Sequence, residues 1–184
     1  MRAPEVAPAR LAELARATTP SAGATRVLAI DGRSGAGKST LAQRLATEMQ
    51  VPCVSLEQLY GGWDGLQAGV DRLVEDVLAP LAAGREAAVP LYDWVAARWL
   101  APQVLQPPPL LIVEGVGAGA LAAAPHVGLL AWLELSEAAR RERAMDRDGS
   151  LYGGHWDMWR AQEDVYLEVN RTAERADVVI AGES

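Results

Sequence analysis

The run Gly32-Arg33-Ser34-Gly35-Ala36-Gly37-Lys38-Ser39-Thr40 constrains this chain more than any other stretch. Glycines at 32 and 37, followed at once by Lys38 and Ser39, reproduce the spacing of a phosphate-binding loop. Such a loop needs a strand before it and a helix after it, and the sequence pattern supplies both. Arg26-Val27-Leu28-Ala29-Ile30 is a short apolar run, while Leu41, Leu45, Ala46 and Met49 recur at helical spacing after Ser39. Glycines tolerate positive φ and let a ligand approach the backbone, so successive N–H groups curve around a phosphate. The helix that opens after Gly37 adds the positive end of its dipole to the same anion. Lys38 is expected to reach the β- and γ-phosphates of a nucleotide, and the Ser39 hydroxyl to ligate Mg²⁺. Gly32, Ser34, Gly35, Ala36, Gly37, Lys38, Ser39 and Thr40 are the predicted nucleotide contacts.

Lys38 is the only lysine; every other permanently cationic side chain is an arginine. An ammonium is a compact point charge and a guanidinium a broad planar fork, so a chain that uses arginine everywhere else needs lysine here. The formal net charge of -7 argues against affinity for nucleic acid, whose backbone is bound by clustered cations. A polyanionic ligand must therefore meet a local cationic site. Cys53 stands alone, which excludes an internal disulfide and a cysteine-based zinc cluster, and it reads as a small buried hydrophobe on a strand. No apolar run reaches the length of a bilayer span and the N-terminus lacks the order of a signal peptide, so no membrane partner and a cytoplasmic location are expected.

A chain of 184 residues, half of them apolar, suits one compact domain. Residues 1–24 read as a short helix carrying Leu11, Leu14 and Ala15 and a loop, and residues 25–184 as a single domain. Val51 to Leu56 reads as a second strand, and a helix is expected from about Val70 to Ala82 with Val70, Leu73, Val74, Val77 and Leu81 on one face. Three prolines deliver the apolar run Leu110 to Glu114; Leu129 to Leu135 and Val178 to Ile180 are further strands. Ser136 to Arg147 and Trp156 to Arg171 read as helices, the first with Ser136 as N-cap. Strands this apolar, alternating with helices, predict an α/β fold: a parallel sheet with helices on both faces.

Glu114 ends one of these strands, at the edge of the sheet where ligands bind, and is the candidate Mg²⁺ carboxylate; its bland reading is an ordinary strand-end glutamate. Arg140, Arg143 and Arg147 share a helix face, which either closes over phosphates or forms a solvated face paired with Glu137, Glu142 and Asp148. Glu57 follows the second strand in a loop with Tyr60, Trp63 and Asp64, placed to take the proton of an attacking hydroxyl. Tyr92-Asp93-Trp94 and Arg98-Trp99 form a second aromatic and charged cluster, suited either to the core or to an acceptor pocket.

With these residues assembled, the chain resembles the uridine kinase and phosphoribulokinase branch of P-loop kinases, from about Val27 to Ile180. The resemblance rests on Asp31 to Thr40, Leu56-Glu57-Gln58-Leu59-Tyr60, Tyr92-Asp93-Trp94, Val113-Glu114-Gly115, and Arg143 through Arg147-Asp148. It implies the three-layer P-loop NTPase fold around a five-stranded parallel sheet, with ATP and Mg²⁺ as ligands. It also implies a lid at about residues 140–160 carrying Arg143 and Arg147, and γ-phosphate transfer to a hydroxyl of a nucleoside-like or similar small molecule. In uridine kinases an Asp-Ser-Phe-Tyr motif supplies the base, and here that Asp position is Glu57. The extra methylene moves the carboxylate by roughly a bond length, and near-attack geometry responds to shifts of about 1 Å, which leaves Glu57 and Asp64 as alternative bases. Tyr92-Asp93-Trp94 stands where the family's Tyr-Asp-Phe helps hold the nucleoside, so Tyr60, Trp63, Tyr92, Asp93 and Arg98 are the expected acceptor contacts. Gly61-Gly62-Trp63-Asp64-Gly65-Leu66 is similar to a loop in a branch of bacterial uridine-kinase-like ATP-binding proteins. The change at Glu57 motivates an alternative, a nucleotide-binding regulatory protein that has lost acceptor phosphorylation. A GTPase switch is disfavoured, since no Asn-Lys-x-Asp signature is present.

Overall fold

The computed structural model describes residues 3–143 and 154–181. After helix α1 (Pro8–Ala17), strand β1 (Arg26–Asp31) runs into the glycine loop and helix α2 (Lys38–Met49). Strand β2 (Cys53–Ser55) leads through a 3-10 turn, Leu56–Gln58, to a long helical segment. That segment is α3 (Leu66–Arg72), a π-helical stretch Leu73–Leu78, and α4 (Ala79–Ala82). An antiparallel arm follows, made of β3 (Ala87–Val89), β4 (Tyr92–Asp93), β5 (Arg98–Trp99) and β6 (Gln103–Leu105). Strands β7 (Leu110–Glu114) and β8 (Leu129–Glu134) come next. Helix α5, described over residues 137–143, then precedes α6 (Trp156–Asn170), α7 (Thr172–Arg175) and β9 (Val178–Ala181).

Five of the strands form one sheet in the order β2-β7-β1-β8-β9, with every pairing parallel. Alternate side chains of each strand feed two separate cores, as a two-residue period requires. Val27, Ala29, Leu111, Val113, Leu130 and Trp132 face one side, where the helical segment 66–82 and α6 pack. Leu28, Ile30, Leu110, Ile112, Ala131 and Leu133 face the other, against Leu11, Ala12 and Ala15 of α1 and Leu41, Ala42 and Leu45 of α2. The apolar runs are thus strands covered on both faces, as their composition predicts. No helix among the described residues is long and apolar enough to cross a membrane.

The local departures from the sequence reading have physical causes. The helix expected from Val70 starts at Leu66, and its π-helical turn rotates the buried stripe. Val70, Leu73, Val77, Leu78 and Leu81 are buried while Val74 is only partly so. Pro80 has no N–H for an i→i−4 bond, and a widened turn sits just before it. Strand β2 is short and lies at the sheet edge, so Cys53 is half-buried. Burial and the nearby Glu114 carboxylate still push its thiol up to about 12. The arm between residues 87 and 105 pairs β3 with β6 and β4 with β5, and Pro90 and Pro102 interrupt it between the two short ladders. A two-residue ladder leaves too short an alternation to be read from sequence.

Candidate active site

The glycine loop joins the carboxyl end of β1, the central strand, to α2. Gly37 caps α2 with φ 97°, and Gly35 has φ 79°, both left-handed values that a side chain resists. A Cβ on Gly35 would also stand 2.2 Å from the Arg140 carbonyl oxygen, so glycine is required there by the approach of α5 as well as by its φ. Lys38 is only 7% exposed, and its Nζ donates to the Arg33 carbonyl at 3.0 Å, curling the side chain back over the loop.

Helix α6 grips this loop from outside. Glu163, 2% exposed, accepts the main-chain N–H of Ser34 at 2.8 Å, and the Trp159 indole N–H lies 2.8 Å from Ser34 Oγ and 3.0 Å from Glu163 Oε1. Arg33 pairs with Asp164 at 2.6 Å and stands 3.6 Å from Glu163. Arg140 is buried as well, donating to the carbonyls of Ser34 and Leu135, each at 3.3 Å. Burial lowers the Arg140 pKa from its ordinary value. Its position makes it the bolt between α5 and the glycine loop, distinct from the solvated face that a run of arginines suggests. Ser34 is engaged through its N–H, carbonyl and hydroxyl together.

Asp31, fully buried at the end of β1, ties the loop after β7 to the same framework. Its carboxylate accepts from the N–H groups of Gly32 (2.7 Å), Gly117 (3.3 Å) and Gly119 (3.0 Å) and from the Tyr166 hydroxyl (2.9 Å). Burial raises its pKa, opposed chiefly by the Gly119 and Gly32 N–H groups. Glu114, buried at the end of β7, sits in register between Ser55 of β2 and Ile30 of β1. Tyr60 donates its hydroxyl to the Val116 carbonyl at 2.9 Å, and burial beside Glu114 holds its pKa well above the usual value.

Two cavities meet at the loop. The first, about 420 Å³, is lined by Gly35 to Leu41, Pro8, Leu133, Ile180 and Ala181, with Lys38, Arg44 and Arg143 as its charged groups. No carboxylate lines it among the described residues. The second, about 360 Å³, holds Glu57 and Glu114, the rings of Tyr60, Trp63, Trp94 and Trp159, and the hydroxyls of Ser34, Ser39 and Ser55. Gly35, Lys38 and Ser39 line both.

Most of the sequence-predicted residues converge on these walls. Lys38, Ser39, Glu57, Tyr60, Trp63 and Glu114 share the second cavity, and Arg143 and Thr40 border the first. Gly32, whose N–H is held by the Asp31 carboxylate, lines neither cavity, and four of the other predicted residues among those described do not reach the lining either. Asp64 is exposed beside Gly65; Asp93 accepts the N–H groups of Val95 and Ala96, each at 2.9 Å, and so shapes the turn of the arm. Tyr92 packs behind the wall against Trp94 and Trp99, while Arg98 is exposed on β5. Arg147 lies outside the described residues. The grip of α6 was missed from the sequence, although Trp159, Glu163, Tyr166 and Asn170 repeat at spacings of four, three and four. A carboxylate and an amide on an otherwise apolar stripe are the signal that marks such a contact.

Two solved structures share this architecture. One is described as a possible uridine kinase from Bacillus stearothermophilus, at TM-score 0.70 and 23% identity, covering 94% of this chain and 96% of that one. The other is a candidate fructose transport system kinase from Silicibacter sp. TM1040, at TM-score 0.62 and 21% identity, covering 95% and 98%. The chain has the P-loop kinase fold. No family profile matches the sequence, and no curated protein matches it.

Proposed function

We propose that this chain is an ATP-dependent small-molecule kinase. The observation that carries the reading is the pair of oppositely charged cavities joined at Gly35, Lys38 and Ser39. The cationic cavity suits a nucleotide's phosphates; the carboxylate-bearing one suits an alcohol and the base that takes its proton. The amides of Gly35, Gly37, Lys38 and Ser39 form the phosphate cradle, since that of Ser34 is committed to Glu163 and that of Ala36 to the Arg33 carbonyl. Lys38, released from the Arg33 carbonyl, lies at the junction where charge builds up during transfer, and Arg143 supplies a second cation on the wall of the first cavity. Glu57 is the general base, because it lines the acceptor cavity and Asp64 does not.

Ser39 and Glu114 line one cavity and offer two hard oxygen donors, a set that fits Mg²⁺ completed by phosphate oxygens and water. No cluster of three or more His, Cys, Asp or Glu residues is present among the described residues to form an all-protein cage. When bound, Mg²⁺ neutralises charge on the phosphates. The names of the two similar structures, one a possible uridine kinase and the other a candidate fructose transport system kinase, support a small-molecule acceptor without choosing its class.

The test is ADP release from MgATP by the purified chain, with and without a panel of nucleosides, sugars and small alcohols. ADP formation that requires an acceptor and yields its phosphomonoester supports the kinase. Tight MgATP binding with no acceptor phosphorylated would support the nucleotide-binding regulatory alternative.

A further inference from the structure

The first cavity changes character along α2. Gly37, Leu41 and Arg44 line it at i, i+4 and i+7, on one face of the helix. Seven residues rise about 10 Å, so Arg44 stands well beyond the amides at the phosphate end. At that end Lys38 and Arg143 are the cations, and Arg143 Nη1 lies 3.4 Å from where a Cβ on Gly37 would stand. Arg44 is exposed and makes no ion pair or side-chain hydrogen bond among the described residues.

The remaining walls are apolar: Pro8, Leu133, Ile180 and Ala181. Pro8 opens α1, Ile180 and Ala181 end β9, and backbone pairing brings the two elements together. The Val179 N–H donates to the Pro4 carbonyl and the Val6 N–H to the Val179 carbonyl, both at 2.9 Å. These bonds add residues 4–6 in parallel to the outer edge of β9. Leu11, Ala12 and Ala15 then anchor α1 in the core that α2 shares. The segment that reads from sequence as a helix and loop ahead of the domain is thus built into the wall of this cavity.

A pyrrolidine ring with no N–H, aliphatic side chains and a planar guanidinium suit a flat aromatic group, on which a guanidinium stacks. Resting on the kinase reading above, we infer that Arg44 and Pro8 clamp the nucleobase of the nucleotide, which makes residues 4–8 part of the nucleotide site. Arg44 positions the base and touches no reacting atom. By linkage, a bound nucleotide holds this segment on β9 more firmly, just as the seated segment holds the nucleotide.

Tripolyphosphate carries the phosphates of a nucleotide without its base, so it separates the two ends of the cavity. Calorimetry compares MgADP with magnesium tripolyphosphate on the native protein, Arg44→Ala, Arg44→Lys and Pro8→Ser. Arg44→Lys keeps the charge and loses the plane. Hydrogen exchange of the Val6 amide is followed with each ligand. The expected result is MgADP binding weakened about 10-fold in both Arg44 variants and weakened in Pro8→Ser, with tripolyphosphate within about 2-fold of native throughout. MgADP, unlike tripolyphosphate, should slow exchange of the Val6 amide. Equal losses of both ligands in Arg44→Ala, restored in Arg44→Lys, would make Arg44 a phosphate cation; that overturns the inference and leaves the kinase reading intact. Native MgADP affinity in Pro8→Ser, with Val6 exchange unmoved by MgADP, would overturn the role given to residues 4–8. If neither ligand binds the native protein, the kinase reading fails and the inference with it.

Discussion

Glu163 and Ser34 are 129 residues apart in the chain and meet at 2.8 Å, the carboxylate of one accepting the main-chain N–H of the other. Through this bond, the helix that contributes Trp159 to the second cavity also fixes the conformation of the glycine loop. Glu163→Ala leaves the part-buried Ser34 N–H without its acceptor and removes a partner of the Trp159 indole. The expected loss is about 1–3 kcal/mol in urea unfolding. Glu163→Gln keeps one accepting oxygen and should lose less. Equal losses in the two variants would show that the hydrogen bond to Ser34 is not what holds the loop.

Asp31 predicts a pH effect. Burial raises its pKa above the ordinary value of 3.8, so the folded protein keeps this proton after the unfolded chain has released it. The stability it contributes is therefore full below pH 3.8 and declines as pH rises through the raised folded value. Asp31→Asn cannot titrate, and its amide group faces N–H donors where the carboxylate had accepted them. Melting midpoints of both proteins over a pH series starting near pH 4 should show the advantage of the native protein narrowing as pH rises. A gap that stays constant with pH would mean that Asp31 titrates as it does in the unfolded chain.

Gly35→Ala tests the seating of α5. The substitution puts a Cβ 2.2 Å from the Arg140 carbonyl in a residue with φ 79°. Either the loop or the helix must move. Hydrogen exchange of residues 137–143 should accelerate, and the KM for ATP should rise. Unchanged exchange would indicate that the loop alone absorbs the strain.

The sheet and the glycine loop were legible because their signals are local. Five apolar runs can only be strands covered on both faces, and Gly32, Gly37, Lys38 and Ser39 lie within eight residues of chain. Glu57, Tyr60, Trp63 and Glu114 were legible for a related reason, since each follows or ends a strand at the edge where the loop lies. Asp93 and Arg98 were misleading because residue type does not specify direction: the Asp93 carboxylate turns back to close its own hairpin. Trp159 and Glu163 were missed because their partners are distant in sequence, and Trp94 was read only as part of its cluster. Trp94 reaches the site through an arm of two- and three-residue ladders, and its indole N–H donates to the Glu57 carbonyl at 2.9 Å.

Glu57 and Asp64 can be separated by charge-neutral substitution. Removing a general base costs about 10²- to 10⁴-fold in turnover. Glu57→Gln should lose turnover on this scale while binding ATP normally, as read by calorimetry. Asp64→Asn, at a residue that does not line the cavity, should stay close to the native rate. The reverse pattern would move the base to Asp64.

The most direct measurement is acceptor-dependent ADP release by the native protein beside Lys38→Ala. Lys38 lines both cavities, so its loss removes the cation at the junction where the phosphoryl group must cross. The predicted result is ADP formation that needs both MgATP and an alcohol, slowed by about 10²-fold or more in Lys38→Ala. ADP release at the same rate in both proteins, or release indifferent to any alcohol, would contradict phosphoryl transfer between the two cavities.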